Sequence, residues 1–207
     1  HLAALVSAPE SVKKRSKYIK TNYEGTKNII RAFPNSKIIF TSTALAENPT
    51  CPYGKSKKMA EEFIIQACKE FVILRLSNVG GGCHTNSGSI QSSAIKAIKD
   101  KEFRINGGDF KTKDGTAERD YIHIEDVIDS ILKFIELPSF LEIQNLYSGK
   151  TYTVLEYLDC FKKVNKISFT CSIVQRRAGD SEIAYSSKIS KYFEPKRTLK
   201  DIALIYK

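Results

Sequence analysis

Cysteine pairs are missing from this sequence. Its five cysteines, Cys51, Cys68, Cys83, Cys160 and Cys171, are odd in number and never form Cys-x-x-Cys, and the three histidines stand at no ligand spacing from them. Neither a disulfide framework nor a metal site is expected, and reduced thiols fit a cytoplasmic protein. No apolar run approaches the roughly 20 residues of a membrane span, and no signal peptide is visible. Low-complexity tracts and internal repeats are absent too. Gly80-Gly81-Gly82 fits neither G-x-G-x-x-G nor the P-loop pattern, so it reads as a turn rather than a phosphate cradle. A starting methionine is also lacking: the chain opens on His1 and reads as a piece of a longer protein.

What is present is a globular composition, 42% hydrophobic and 27% charged over 207 residues, enough for one substantial core or two small ones. Thirty-three basic residues against 23 acidic give a net charge of +10. Twenty-five of the basic residues are lysines, scattered along the chain. The densest run, Lys13-Lys14-Arg15 with Lys17 and Lys20, has only Tyr18 as an interleaved aromatic. It reads as a solvated helix face, and nucleic acid is not expected as a partner.

Pro9-Glu10-Ser11 opens a helical pattern to about Ala32, ended by Pro34-Asn35. Lys37–Ser42 is a short β-branched run that reads as a buried strand, and helix Tyr53–Glu70 and strand Phe71–Leu76 follow. After the glycine-rich loop Asn78–Gly88 come a helix near Ser89–Lys101 and a strand at Phe103–Ile105. A strand over Arg119–Ile124 leads to helix Glu125–Glu136, strand Gln144–Tyr147, helix Val154–Val164 and strand Phe169–Val174. This alternation predicts an α/β fold with a parallel sheet covered by helices. No linker is visible, so any domain boundary is tight and near Gly82–Gly88.

One stretch combines groups suited to proton transfer. Tyr53-Gly54-Lys55-Ser56-Lys57 opens a helix just after a strand that ends in Thr41-Ser42-Thr43. A tyrosine hydroxyl titrates near pH 10 and needs help to act as a base at neutral pH. Lys57 lies one helical turn on, where its ammonium can favour the phenolate, and Thr43 offers a hydroxyl that can share a proton. Spacing alone is weak, because Tyr23…Lys27 and Tyr192…Lys196 repeat it. Strand, hydroxyl residues, Pro52 and helix in that order set Tyr53 apart.

Taken in order, His1-Leu2-Ala3-Ala4, Asn22-Tyr23-Glu24-Gly25-Thr26, Ser42-Thr43-Ala44, Pro52-Tyr53-Gly54-Lys55-Ser56-Lys57, Leu74-Arg75-Leu76-Ser77-Asn78, Asp109–Thr116, Arg119–His123 and Arg176–Asp180 form an ordered set. The chain resembles the UDP-galactose 4-epimerases, within the extended short-chain dehydrogenases/reductases. That resemblance implies a partial doubly wound, Rossmann-like parallel sheet with a smaller C-terminal α/β substrate domain. Residues 1–84 would belong to the cofactor domain and 85–207 to the substrate domain, with 119–136 returning to the first. The glycine-rich dinucleotide turn of the family would precede His1.

The resemblance further implies NAD as cofactor, a UDP-sugar as substrate and a homodimer. Tyr53, Lys57 and Thr43 would be catalytic, and Asn22, Ser42, Tyr53 and Lys57 would contact the cofactor or steady those that do. Asn78, Arg119, Arg177 and Asp180 would bind the uridine diphosphate, and Ala184 would line the sugar pocket, leaving room for an N-acetyl group. Three departures from the family pattern bear on cofactor binding. The stretch from Thr43 to Tyr53 is short, Ser77 replaces an aromatic, and Val6 replaces a lysine. Two other readings compete: a nucleotide-sugar 4,6-dehydratase, although Thr43 is followed by Ala44-Leu45 rather than an acidic pair, and a basic binding protein without activity. His123 reads as a packed core histidine.

Overall fold

The helix expected as one piece over Ser11–Ala32 is four pieces in the structure, a computed structural model that describes residues 1–82, 89–137, 141–177, 182–184 and 188–205. Ser7 caps α1 (Ala8–Lys13), its hydroxyl accepting from Glu10 N–H, with Pro9 in the first turn. Lys14, at φ −124°, separates α1 from α2 (Arg15–Tyr18). A π-helical turn, Ile19–Glu24, then leads into α3 (Gly25–Ala32). The widened turn swings Asn22 into the interior, where it is buried.

Strand β1 (Ile38–Thr43) buries alternate residues, so Ile38, Phe40 and Ser42 share one face. A single 3-10 turn (Ala44–Ala46) and a short loop deliver the chain to α4 (Pro52–Ala67), with Pro52 at its first position. A Cβ on Gly54 would lie 2.6 Å from the Leu45 carbonyl oxygen, so glycine is what lets α4 start this close to the 3-10 turn. Strand β2 (Phe71–Leu76) is buried at its first five positions, including Arg75.

Beyond it come β3 (Asn78–Gly80), α5 (Ile90–Asp100), β4 (Glu102–Asn106), β5 (Glu118–His123) and α6 (Ile124–Glu136). The rest comprises β6 (Leu141–Leu146), β7 (Thr151–Thr153), α7 (Val154–Asn165), β8 (Thr170–Val174), β9 (Ile183–Ala184) and α8 (Leu199–Ala203). Ser89 caps α5, and Thr153 with Glu156 forms a capping box on α7.

The chain divides into two units: His1–Leu76 with Asp129–Leu146, and Ser77–Ile128 with Tyr147–Lys207. The division falls directly at Leu76–Ser77, ahead of the expected 84, and the returning segment begins at Asp129 rather than 119. The reason is strand pairing. Leu76 ends β2 in one sheet, whereas Asn78 already pairs with Tyr121 in another.

In the first unit β1, β2 and β6 form a parallel sheet in that order. Ile38, Phe40, Ile64 and Ile73 are at the centre of its core. In the second unit β5 pairs with β3 and β9 in parallel and with β7 antiparallel, and β4 pairs with β8 in parallel. Its core gathers Phe103, Tyr121, Tyr157, Phe161 and Phe169. Gly81, at φ +74°, passes so near the His123 ring that a Cβ would lie 2.0 Å from it. His123 is packed, as expected, and its Nδ1 accepts from Glu125 N–H at the start of α6. The mixed α/β architecture with parallel sheets is the one expected. No helix among the described residues is long and apolar enough to cross a membrane, and no group of metal-ligating side chains occurs among them.

Candidate active site

In the first unit, α4 carries Tyr53, Lys57 and Glu61 at intervals of four, one helical face. Tyr53 is buried in a small cluster with Tyr18 and Cys51, its ring edge-on to Tyr18 at 6.3 Å between centroids. The Thr43 hydroxyl lies close enough to the Tyr53 hydroxyl to favour its ionised form, so strand end and helix start meet as the order of residues suggested. Burial pushes the Tyr53 hydroxyl up to about 12, and the nearby Thr43 hydroxyl opposes that rise. In the chain alone the net shift of Tyr53 is upward, because burial outweighs what opposes it.

Lys57 instead sits over the Phe40 ring, its Nζ 3.9 Å from the centroid. Only 3% of its surface is exposed, and burial pushes its ammonium down to about 8, with Glu61 pulling the other way. Among the described residues no hydrogen bond or ion pair reaches Lys57 Nζ. A nearly buried ammonium with only a ring face for company is a donor set waiting for hydroxyls.

Asn22 makes no direct hydrogen bond to Lys57. Its amide clamps the backbone of Leu5, accepting from Leu5 N–H at 2.8 Å and donating to Leu5 C=O at 3.0 Å. The same Nδ2 donates to Ser56 Oγ at 2.9 Å, and Ser56 Oγ donates to Tyr53 C=O at 2.8 Å. Asn22 therefore steadies the first turn of α4 through Ser56. Ser42 is turned inward as well, donating to Glu61 Oε1 at 2.5 Å. Its hydroxyl is engaged by protein. The other two Tyr-x-x-x-Lys pairs differ: Lys27 Nζ stands 5.0 Å from the Tyr23 ring centroid and pairs with Glu24 at the surface, and Tyr192 has Lys191 beside its ring.

In the second unit a cavity of about 650 Å³ is lined by Asn78, Arg119 and Arg177, together with Lys96, Arg104 and Tyr121. Three side chains picked out for diphosphate binding thus line one space. Asn78 Nδ2 donates to Asp120 C=O at 3.0 Å. Arg119 donates through Nη1 to the carbonyls of Glu118 and Glu182 at 2.7 and 3.1 Å. Ala184 lies in β9 and pairs in register with Arg119. Asp180 lies outside the described residues. Asp120 forms no surface pair with Arg119: it is fully buried and accepts from Ser148 N–H, Ser148 Oγ and Gly149 N–H.

A profile of the NAD dependent epimerase/dehydratase family matches residues 1–148. The chain belongs to that family. A UDP-glucose 4-epimerase of Lactobacillus helveticus is 32% identical over 226 aligned positions, which take in 91% of this chain and 68% of that protein. Among solved structures, the UDP-glucose 4-epimerase from Bifidobacterium longum in complex with NAD+ and UDP gives a TM-score of 0.83 at 25% identity, over 97% of this chain and 72% of that one. The UDP-Glc/GlcNAc 4-epimerase from Campylobacter jejuni gives 0.75 at 29% identity, over 97% and 73%. The resemblance read from the motifs is borne out by these matches.

For this member of the epimerase/dehydratase family, Glu61, Arg75, Ser56 and Phe40 escaped the sequence reading. Signals for two of them existed. Glu61 continues the four-residue interval of Tyr53 and Lys57, and Arg75 is the lone charge in the run Phe71–Leu76.

Proposed function

We propose that this protein catalyses NAD-dependent 4-epimerisation of a UDP-hexose, with UDP-glucose and UDP-galactose as the pair. One observation carries the reading: Thr43 and Tyr53 brought together at the start of α4, with a buried Lys57 ammonium one helical turn away that no hydrogen bond or ion pair among the described residues reaches. A ribose diol offers the oxygen acceptors that Lys57 lacks, so these residues fit the nicotinamide end of the dinucleotide. Bound NAD supplies the hydride acceptor and donor for sugar C4.

The chain's own residues move the proton. Tyr53 Oη takes it from the sugar 4-hydroxyl as the C4–H bond breaks and gives it back when that bond re-forms on the other face. Thr43 relays it between sugar oxygen and phenol. A tyrosine pushed up to about 12 needs positive charge nearby to work at neutral pH, and Lys57 and the cationic nicotinamide are the two sources. Asn78, Arg119 and Arg177 hold the diphosphate, guanidinium forks matching phosphate oxygens, and Asp180 takes the uridine ribose. Ala184 leaves room for an N-acetyl group, so UDP-GlcNAc and UDP-GalNAc are a second pair. Ala184→Tyr would then lower kcat/KM for the N-acetylated pair selectively.

The protein works as a homodimer paired through its helices. Val12, Ile29, Phe33 and Ile65, large apolar residues on or next to α1, α3 and α4, are solvent-exposed in the single chain and support this reading. Sedimentation of the protein before and after Phe33→Asp tests it.

Tyr53→Phe tests the chemistry. Loss of turnover by more than about a hundredfold is expected, with UDP affinity within about twofold, since the ring still packs. Epimerisation within about tenfold of the parent would remove Tyr53 as the base.

A further inference from the structure

Three groups from separate stretches meet under the face of α4 that carries Tyr53 and Lys57. Glu61 is fully buried. Its Oε1 accepts from Ser42 Oγ at 2.5 Å and from Arg75 Nε at 3.0 Å, and its Oε2 accepts from Arg75 Nη2 at 2.7 Å. Ser42 and Arg75 are direct partners in the β1–β2 register. One carboxylate therefore ties α4 to two strands at once, one residue before Thr43.

As a source of stability this is a poor choice. Desolvating a carboxylate and a guanidinium offsets most of their attraction, and apolar side chains of the same volume hold a helix down equally well. What apolar contacts do not provide is directional restraint. A bidentate fork with a third hydrogen bond fixes the carboxylate along and around the helix, whereas aliphatic surfaces slide. Slip of α4 along β1 would part Tyr53 from Thr43 and lift Lys57 off Phe40.

We propose that Glu61, held by Ser42 and Arg75, is the positioning residue that sets α4 on β1 so that Tyr53 meets Thr43 and Lys57 stays beside it. Its catalytic consequence rests on the epimerase reading. Ser42 thereby serves the helix anchor rather than the cofactor. The charge of Glu61 also bears on Lys57 from one turn away.

The test compares Glu61→Gln, Arg75→Lys and the double variant Glu61→Leu/Arg75→Leu with the parent. It reads thermal melting, kcat and KM for UDP-galactose, and 13C titrations of Lys57 Cε and Tyr53 Cζ. Glu61→Gln should lower the Lys57 midpoint and reduce kcat at least about tenfold with KM within about twofold. Arg75→Lys, which keeps the charge and loses the fork, should reduce kcat in the same way. The double variant should regain parental melting without regaining kcat. Parental kcat in the double variant overturns the proposal, as do an unchanged Tyr53 Cζ shift and kcat in folded Glu61→Gln and Arg75→Lys. Should the parent itself not epimerise, the epimerase reading fails, and the Lys57 and Tyr53 titrations still decide the positioning.

Discussion

Lys57 and Phe40 are stacked charge over ring, 3.9 Å from Nζ to centroid, on the face of β1 that also presents Ser42. Among the described residues no hydrogen bond or ion pair reaches that ammonium, so the ring face substitutes for the water that burial removed. Phe40→Leu keeps an apolar filler and removes the π face. A cation–π contact in a desolvated site contributes about 2 kcal/mol, so the Lys57 midpoint should fall below its parental position near 8. A 13C titration of labelled lysine, assigned with Lys57→Met, reads the shift directly.

Alkaline stability should show a maximum. Lys57 is pushed down to about 8 from 10.5. Between those values the unfolded chain holds the extra proton, so stability rises with pH there, by up to about 1.4 kcal/mol per pH unit. Tyr53 is pushed up to about 12 from 10. Above pH 10 the unfolded chain loses its proton first, and stability falls. Urea unfolding from pH 7 to 11 should show the rise flattened in Lys57→Met and the fall flattened in Tyr53→Phe.

Gly54→Ala should damage the site without touching a polar group. The new Cβ would stand 2.6 Å from the Leu45 carbonyl oxygen, a backbone atom that cannot swing aside, so the start of α4 must retreat. Overpacking of this kind costs about 1–3 kcal/mol. The expected result is a lower melting temperature together with reduced kcat, since Tyr53 moves with the helix. Parental melting would mean that the 3-10 turn Ala44–Ala46 yields instead.

Arg177 is exposed and lines the charged cavity of the second unit. Arg177→Ala should therefore leave melting within experimental scatter and weaken UDP binding about tenfold, the loss of one charge-assisted phosphate contact at about 1.4 kcal/mol. Calorimetric titration with UDP checks this, and a weaker salt dependence of the affinity should accompany the loss.

Local patterning carried much of this protein. Alternating apolar runs and helical spacings marked β1, α4, β2, α5, α6 and α7 to within a few residues, because each element buries one face and its period follows from backbone geometry. The order strand, hydroxyls, proline, helix set Tyr53 apart from two identical spacings. Tertiary structure alone decided the rest. Nothing local marks the π turn that buries Asn22, since its energy comes from the Leu5 backbone and Ser56, 17 and 34 residues away in sequence. In sequence Ser42 offers a free hydroxyl, whereas in the fold that hydroxyl donates to Glu61, 19 residues on, whose carboxylate is itself held by Arg75. Proton affinities moved for the same reason: burial pushed Tyr53 up and Lys57 down, and desolvation depends on what the whole chain packs around a group rather than on its neighbours in sequence.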